Sequence, residues 1–368
     1  MPDTPVEAVC PPNRRSRSSD TVTAVCDCLV ALPNTTASAR TLFAKNSDRP
    51  ADEAQELEWL PPRRDAGPVR TTYLDIDAAP GWTLGVLASR PAWMWGLEHG
   101  VNEAGVAVGN EAVYTTDDPH LAPPALVGMD LVRLALERAE TATAAVDVII
   151  GLVERYGQGG SGYEGRDDPY WSSFLVADAA DAWIIETSGT LTATEHVAHT
   201  RAISNRLTIP TFDAAHRDPA MPTEFADPRL HASETVLAAE PVTVTNLKAH
   251  LRDHTTGEHG FTVCMHVGDQ LATTAAVIAE LPGPFRNRRT LAHVCLGSPC
   301  RSIFVPVAVG RPLGEPPPWK DFQGLADDTH HRLRALEAEL ATAASTDADD
   351  DRWAPDAWRR VDAILTRA

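Results

Sequence analysis

The first clear pattern along the chain is a pair of short apolar runs separated by turn residues. The runs cover residues 26–32 and 41–45, and Pro33 and Asn34 open the segment between them. Two apolar runs this close together predict a β-hairpin with a longer loop. Residues 1–25 have no such periodicity and are polar and proline-containing, so we expect a disordered leader there.

The same kind of pattern predicts the remaining elements. Short apolar runs predict strands at residues 84–89, 105–110, 173–178, 182–187 and 201–205. Amphipathic spacing predicts helices at residues 129–138, 141–156 and 242–252. In the tail from about residue 330, Leu333, Leu336 and Leu340 recur at helical spacing. A last short helix is expected after an acidic linker at 347–351. Gly157 follows the second helix and is expected to cap its end.

The order of these elements favours the α+β class. Strands come in hairpin-like groups and helices cluster between them, whereas a parallel sheet requires regular strand–helix alternation. We therefore expect antiparallel sheets layered with helices. The predicted organisation is a leader at 1–25, a main domain over 26–325 and a helical acidic tail over 326–368.

Composition excludes several classes of function. The chain has 368 residues, of which 43% are hydrophobic and 23% charged, as in an ordinary globular protein. Its net charge of −19 argues against a nucleic-acid partner, which requires a basic surface. No apolar run reaches the roughly 18 residues of a membrane span, and no secretory signal is recognisable. We expect a cytoplasmic protein with no membrane partner, and a homo-oligomer is compatible with the sequence.

The cysteines do not form a recognisable framework. There are six: Cys10, Cys26, Cys28, Cys264, Cys295 and Cys300. No CxxC pair recurs at zinc spacing, and the density is too low for a disulfide scaffold. Cys264 and His266 suggest a Cys–His pair, but two residues apart they also fit an ordinary strand face. The sequence therefore predicts reduced thiols, no metal site and no cofactor.

The hairpin brings candidate chemistry to Cys26. If the two runs pair closely, Cys26 lies opposite Ser47, with Lys45 and Asp48 beside it. As the first residue of a mature chain, Cys26 would carry an α-amine with a pKa of about 8, a suitable general base for its own thiol. The Lys45 ammonium would favour the thiolate, and Asp48 would hold the amine. Taken alone, Cys26 also fits a small buried strand residue, and Cys28 on the same face is an alternative nucleophile.

A set of motifs, specific in combination, points to a family. The hairpin contributes CDCLVALP (26–33), FAKNSDRP (43–50) and EAQ (53–55), and the longest match joins SRPAWMWG (89–96) to VNEAGVAVGNEAV (101–113). Shorter motifs are GMDLVR (128–133), YGQGG (156–160), WIIET (183–187), ISN (203–205) and RSIF (301–304). Together they resemble the secernins, relatives of bacterial dipeptidase A among the N-terminal nucleophile cysteine peptidases. The resemblance is strong over about 26–210 and loose over about 258–306.

The resemblance implies a four-layer αββα fold with two stacked antiparallel sheets. It also implies hydrolysis of short peptides, typically dipeptides, through a thioester on Cys26. Lys45 and Asp48 match positions where the wider penicillin-acylase-like group has Arg and Asp, and Lys lacks the bidentate fork of Arg. Asn110 and Asn205 fit the group's two Asn positions, whose amides suit an oxyanion hole. The residues before Cys26 must then be absent from the active form, either because the chain processes itself or because translation starts further along the sequence.

The substrate side is less specific. Trp93 and Trp95 fit either a wall of the substrate pocket or aromatic packing, and Arg301 fits either a ligand for a substrate carboxylate or a structural residue. The function we predict is therefore a cysteine dipeptidase acting on a small peptide. The alternatives are an acylase of a non-peptide amide on the same fold and a non-catalytic, secernin-like regulatory protein.

Overall fold

The structure is a computed structural model that describes residues 25–257, 260–282 and 289–367. The predicted leader falls almost entirely on residues 1–24, which lie outside the described residues. In chain order the strands are β1 (Val25–Ala31), β2 (Leu42–Pro50), β3 (Gln55–Leu60), β4 (Val69–Arg70), β5 (Asp75–Ile76), β6 (Val86–Pro91), β7 (His99–Asn102), β8 (Ala107–Val113), β9 (Trp171–Ala177), β10 (Ala182–Ser188), β11 (Leu191–His196), β12 (Thr200–Ile203), β13 (His266–Val267), β14 (Leu271–Glu280), β15 (Leu291–Leu296) and β16 (Val305–Ala308).

These strands build two large antiparallel sheets. The first has the order β12-β1-β2-β14-β15-β16, with β13 beside β14, and the second has the order β11-β10-β9-β8-β7-β6-β3. The sheets lie face to face, because Cys28 and Phe43 of the first share one buried cluster with Ala107 and Leu175 of the second. Strands β4 and β5 form a separate small ribbon.

Helices cover the outer faces of both sheets. The helices of the described residues are α1 (Gly128–Arg138), α2 (Ala142–Tyr156), α3 (Pro210–His216), α4 (Asp227–Ala238), α5 (Val244–His250), α6 (Asp327–Asp347) and α7 (Trp353–Leu365), and α1, α2, α4 and α5 form the outer layers. α1 and α2 pack on the second sheet through residues such as Leu131 and Ile149. α4 and α5 pack on the first sheet through residues such as Leu237 and Leu247. The predicted α+β class and αββα layering are therefore confirmed.

The predicted hairpin has the expected register. Cys26 pairs with Ser47 and Cys28 pairs with Lys45. The second strand, however, continues beyond its apolar run to Pro50. The polar residues of this strand are as buried as its apolar residues, because they face other polar groups. Hydrophobicity alone therefore predicted the end of the strand too early. The other predicted strands and helices are present, with ends shifted by a few residues.

The C-terminal helices pack on the same core as the sheets. Leu333, Leu336 and Leu340 of α6 and Trp358 of α7 belong to the cluster that fills the space between the sheets. Gly157 follows α2 with a φ of 73°, a positive value that favours glycine, and its N–H donates to the carbonyl oxygen of Val153. In the described part of the chain, no helix combines the length and apolar character needed to cross a membrane.

Candidate active site

Cys26 lies on β1, in the face that packs against the second sheet. Strand alternation places it on the same side as Cys28 and Val30, which belong to the core between the sheets. Its side chain is only 5% exposed. Burial raises the pKa of its thiol to about 12, Lys45 acts in the opposite direction, and nearby carboxylates add to the increase. With residues still attached before it, Cys26 is therefore a protonated thiol.

The main-chain nitrogen of Cys26 is held by Asn205, which follows β12. Cys26 N–H donates to Asn205 Oδ1 at 2.8 Å. The amide nitrogen of Asn205 donates to the carbonyl oxygen of Ala112 at 3.1 Å, so both ends of this side chain are engaged. Because the amide is anchored on the second sheet, its oxygen is fixed at the start of β1.

Lys45 places a cation between the sheets. Its side chain is fully buried, and Nζ donates to the carbonyl oxygen of Asn110 at 2.9 Å. Burial alone would lower the pKa of Lys45, but the sulfurs of Cys26 and Cys28, followed by the carboxyl groups of Glu111 and Glu98, act in the opposite direction and hold that pKa well above its ordinary value. We therefore treat Lys45 as an ammonium.

Asp48 meets Cys26 through its main chain. Asp48 N–H points to Cys26 Sγ at 3.5 Å, and its carboxylate accepts a hydrogen bond from the Thr273 hydroxyl at 2.5 Å. Burial raises the pKa of this carboxyl to about 7, while Arg229, 4.0 Å from its second oxygen, acts in the opposite direction. The predicted neighbours of Cys26 are thus both present, but Asp48 contacts the thiol through its N–H.

Arg229 of α4 is a site residue that sequence reasoning missed. It is fully buried and donates to Asp27 Oδ2 at 2.6 Å, to Asn205 Oδ1 at 2.8 Å and to the carbonyl oxygen of Cys26 at 3.3 Å. It lies in the segment around 211–258, where the family resemblance is weak. No local pattern distinguishes it from a surface arginine, because its partners come from other parts of the chain.

The side-chain amide of Asn110 on β8 is a hydrogen-bond donor with only a weak acceptor beside it. Its Nδ2 contacts only the Met129 thioether, at 3.4 Å, among the hydrogen bonds of the described residues. A thioether is a weak acceptor. Its Oδ1 has no hydrogen-bond partner within the described ranges. This buried amide is therefore available to a ligand, whereas the amide of Asn205 is not.

Glu111, the next residue on β8, was also not singled out from the sequence. It is 1% exposed and lies beside Lys45 and Cys28. Burial raises the pKa of its carboxyl to about 8, and Lys45 acts in the opposite direction. The motif containing it was recognised, but nothing in its sequence indicates a buried carboxyl.

The three predicted substrate residues occupy different surroundings. Trp93 packs in a small cluster with Met129, the neighbour of Asn110, and its Nε1 donates to Glu53 at 2.9 Å. Trp95 packs against α1, with Arg133 4.1 Å above its ring. Arg301 donates to Asp327 at 3.0 Å and to the carbonyl oxygen of Leu325 at 2.5 Å, at the start of α6. Only Trp93 is connected by these contacts to the surroundings of Asn110.

A cleft opens beside the start of β1. Val25, Asn205 and Arg229 form its inner wall, and its outer part includes Arg206, Arg217 and Phe225. The cleft therefore leads from solvent to the position that precedes Cys26.

Comparison with known proteins gives fold-level similarity. No family model matches the chain, so the secernin assignment stays a prediction. Among solved structures, the chain is similar to a penicillin V acylase from Agrobacterium tumefaciens, with 15% identity, 78% of this chain and 87% of that chain covered, and a TM-score of 0.48. It is also similar to an N-acylethanolamine-hydrolyzing acid amidase ortholog from Caenorhabditis elegans, with 13% identity, 71% of this chain and 97% of that chain covered, and a TM-score of 0.41. A conjugated bile acid hydrolase variant from Clostridium perfringens is similar as well, with 9% identity, 72% of this chain and 88% of that chain covered, and a TM-score of 0.43. At these identities the similarity does not extend to a substrate.

Proposed function

We propose that the chain is a cysteine amide hydrolase of the N-terminal nucleophile type, with Cys26 as nucleophile and short peptides, above all dipeptides, as substrates. The observation that carries this proposal is the hydrogen bond from the Cys26 nitrogen to Asn205 Oδ1 at 2.8 Å. Once Cys26 is the first residue, that nitrogen is an amine. Asn205 then orients one of its N–H bonds, and the lone pair is free to accept a proton.

The reaction needs no other base. The amine of Cys26 takes the thiol proton, and the thiolate attacks the carbonyl carbon of the substrate. The resulting ammonium gives the proton to the departing nitrogen, the C–N bond breaks, and a thioester remains on Sγ. The amine then takes a proton from water, the hydroxide attacks the thioester, and Sγ leaves with the proton returned by the ammonium.

Two groups suit the charge that develops on the substrate oxygen. Asn110 Nδ2 is a buried donor held only by a thioether, so it can turn to an oxyanion without losing a strong hydrogen bond. Lys45, bonded to the carbonyl oxygen of Asn110, adds positive charge close by. Asn205, whose amide already donates to Ala112, has a positioning role instead.

Short peptides fit the charge of the cleft. Arg206 and Arg217 lie in its outer part. Arg206 is already paired with Asp227 at 2.6 Å, whereas Arg217 is 44% exposed and only loosely paired with Asp213, at 3.6 Å. The free carboxylate of a dipeptide, on the residue directly after the scissile bond, would meet the guanidinium group of Arg217. An acylase of apolar amides is the second candidate, because Trp93, Met129 and Tyr170 form an apolar cluster next to Asn110.

The test compares two forms of the protein on one substrate panel. One form begins at Cys26, exposed by specific removal of a fusion partner, and the other retains residues 1–25, as verified by intact mass. We expect the first form to cleave dipeptides faster than the same bond in longer peptides or N-acylated amines, and the second to be folded but inactive. Mass spectrometry of the rapidly quenched reaction should show the acyl group on Cys26.

Two outcomes would change the proposal. Equal hydrolysis by the chain that retains residues 1–25 would exclude the amine of Cys26 as the base. Activity only on N-acylated amines would favour the acylase and remove the dipeptidase.

A further inference from the structure

Four potential metal ligands converge away from the groups described above. His254 lies in the loop after α5, Cys264 just before β13, His266 in β13, and Cys300 in the turn between β15 and β16. Their donor atoms all lie within 4.8 Å of one another. His266 Nε2 is 3.2 Å from Cys300 Sγ and 3.6 Å from Cys264 Sγ.

The two distances from His266 Nε2 to the sulfurs are close to those of a tetrahedral zinc site. With Zn–S bonds of about 2.3 Å and Zn–N bonds of about 2.0–2.1 Å, the ligand atoms of a regular tetrahedron lie about 3.3–3.8 Å apart. Small rotations of the side chains would bring all four donors into that range. Two thiolates and two imidazoles are also a standard donor set for structural zinc.

The fold brings these segments together through hydrogen bonds that do not involve the four donor atoms. Cys264 N–H donates to the carbonyl oxygen of Asp253 at 2.9 Å, which joins the strand to the loop. The Asp253 carboxylate accepts from Thr255 N–H at 2.8 Å and shapes the loop around His254. Arg252 Nε donates to the carbonyl oxygen of Pro299 at 2.8 Å, which joins the loop to the turn. The donor cluster is therefore preorganised.

The exposure of the ligands provides both a closed site and a path for the ion. Cys264 is fully buried, Cys300 is half-buried, and His254 and His266 are exposed. An ion can enter from the histidine side and reach the buried sulfur. Four protein donors would leave no open position, which is the arrangement of a structural site.

We propose that His254, Cys264, His266 and Cys300 bind a Zn²⁺ ion in a tetrahedral structural site. The ion ties the loop after α5 and the turn before β16 to the edge of the first sheet. That edge supports the candidate active site, because Met265 N–H donates to the Thr273 hydroxyl at 2.8 Å and this hydroxyl donates to Asp48 at 2.5 Å. The zinc site does not depend on the proposed hydrolase activity.

The test measures metal content directly. The full chain, purified without a histidine tag and kept reduced, is loaded with Zn²⁺, dialysed and analysed by elemental mass spectrometry. We expect about one zinc per chain, with X-ray absorption spectroscopy showing sulfur at about 2.3 Å and nitrogen at about 2.0 Å. His254→Gln and Cys300→Ser should each bind zinc at least about tenfold more weakly, because each removes a bond to the ion.

A matched control uses another buried cysteine. Cys295→Ala removes a buried thiol outside the donor cluster, whose contacts include the carbonyl oxygens of Leu296 and Gly297, so the zinc content of this variant should equal that of the unmodified protein. Retention of zinc by His254→Gln and Cys300→Ser alike, or no zinc in the reduced wild type, would overturn the proposal. So would a Cys264–Cys300 disulfide in protein isolated under non-oxidising conditions.

Discussion

Asn205 Oδ1 accepts a hydrogen bond from the main-chain nitrogen of Cys26 at 2.8 Å, although the two residues are 179 positions apart. The same oxygen accepts a second hydrogen bond from Arg229 at 2.8 Å. The nitrogen of the candidate nucleophile is thus positioned by two side chains from outside its own hairpin. In the function that we propose, the same oxygen orients the terminal amine of Cys26.

Replacing Cys26 and Cys28 one at a time should show which of the two cysteines is the nucleophile. In the form that begins at residue 26, the Cys26→Ala variant should lose amide hydrolysis entirely, because no other group can form the thioester. Cys28→Ala should keep most of its activity, since Cys28 packs between the sheets and burial raises its pKa well above the ordinary value. Initial rates and thermal unfolding of both variants check this, and an inactive Cys28→Ala beside an active Cys26→Ala would reverse the assignment.

Lys45→Met should make the Cys26 thiol harder to ionise. The Lys45 ammonium lowers the pKa of Cys26 against the larger effect of burial, so its loss should move alkylation of the thiol to higher pH. A rise of one in that pKa lowers the thiolate fraction about tenfold. The measurement is the rate of Cys26 alkylation against pH, followed by peptide mass spectrometry. Lys320→Met, at an exposed position, is the control; an unchanged profile in Lys45→Met would remove Lys45 from the site.

Asn110→Ala should reduce kcat by about 10²–10³, the usual effect of losing one oxyanion donor, with little change in KM. The amide of Asn110 has only a thioether as acceptor, so its removal breaks no strong hydrogen bond in the free protein. Asn34→Ala, at an exposed position on the first hairpin, is the matched control. A raised KM with unchanged kcat would instead place Asn110 in ground-state binding.

Glu111 should make the protein less stable as the pH rises. Burial raises the pKa of its carboxyl from the ordinary value of 4.5, which applies to the unfolded chain, to about 8 in the folded protein. Between these values the folded protein keeps a proton that the unfolded chain has released, so the free energy of unfolding falls with pH by at most about 1.4 kcal/mol per pH unit. The stabilisation is complete below pH 4.5, the pKa of the unfolded chain, and is lost as the pH rises through the folded-state pKa of about 8.

Glu111→Gln stays neutral at every pH and should remove this part of the decline. Denaturant unfolding between pH 5 and pH 8 measures it, and Glu315→Gln, at an exposed position, should behave like the unmodified protein. The carboxyl of Asp48, with a pKa raised to about 7 by burial, contributes a similar decline in all three proteins. Identical pH dependence in Glu111→Gln and the unmodified protein would show that Glu111 is not a buried neutral acid.

Local pattern determined much of the architecture of this protein. The pairing of Cys26 with Ser47 follows from two apolar runs and the turn between them, because strand alternation and a short connection leave few registers. The helices α1 and α2 were visible as amphipathic repeats for the same reason. In these cases all the interacting residues lie close together in the chain.

The tertiary structure alone decided which distant groups meet. Arg229 reaches Asp27 and Asn205 only because α4 packs on the first sheet, and no spacing within residues 211–258 reports that contact. The sequence predicted no metal site because His254, Cys264, His266 and Cys300 lack a compact ligand motif, yet the order of the strands brings their donor atoms together. Sequence patterns record which face of an element is buried, whereas contacts between elements depend on the packing of the whole chain.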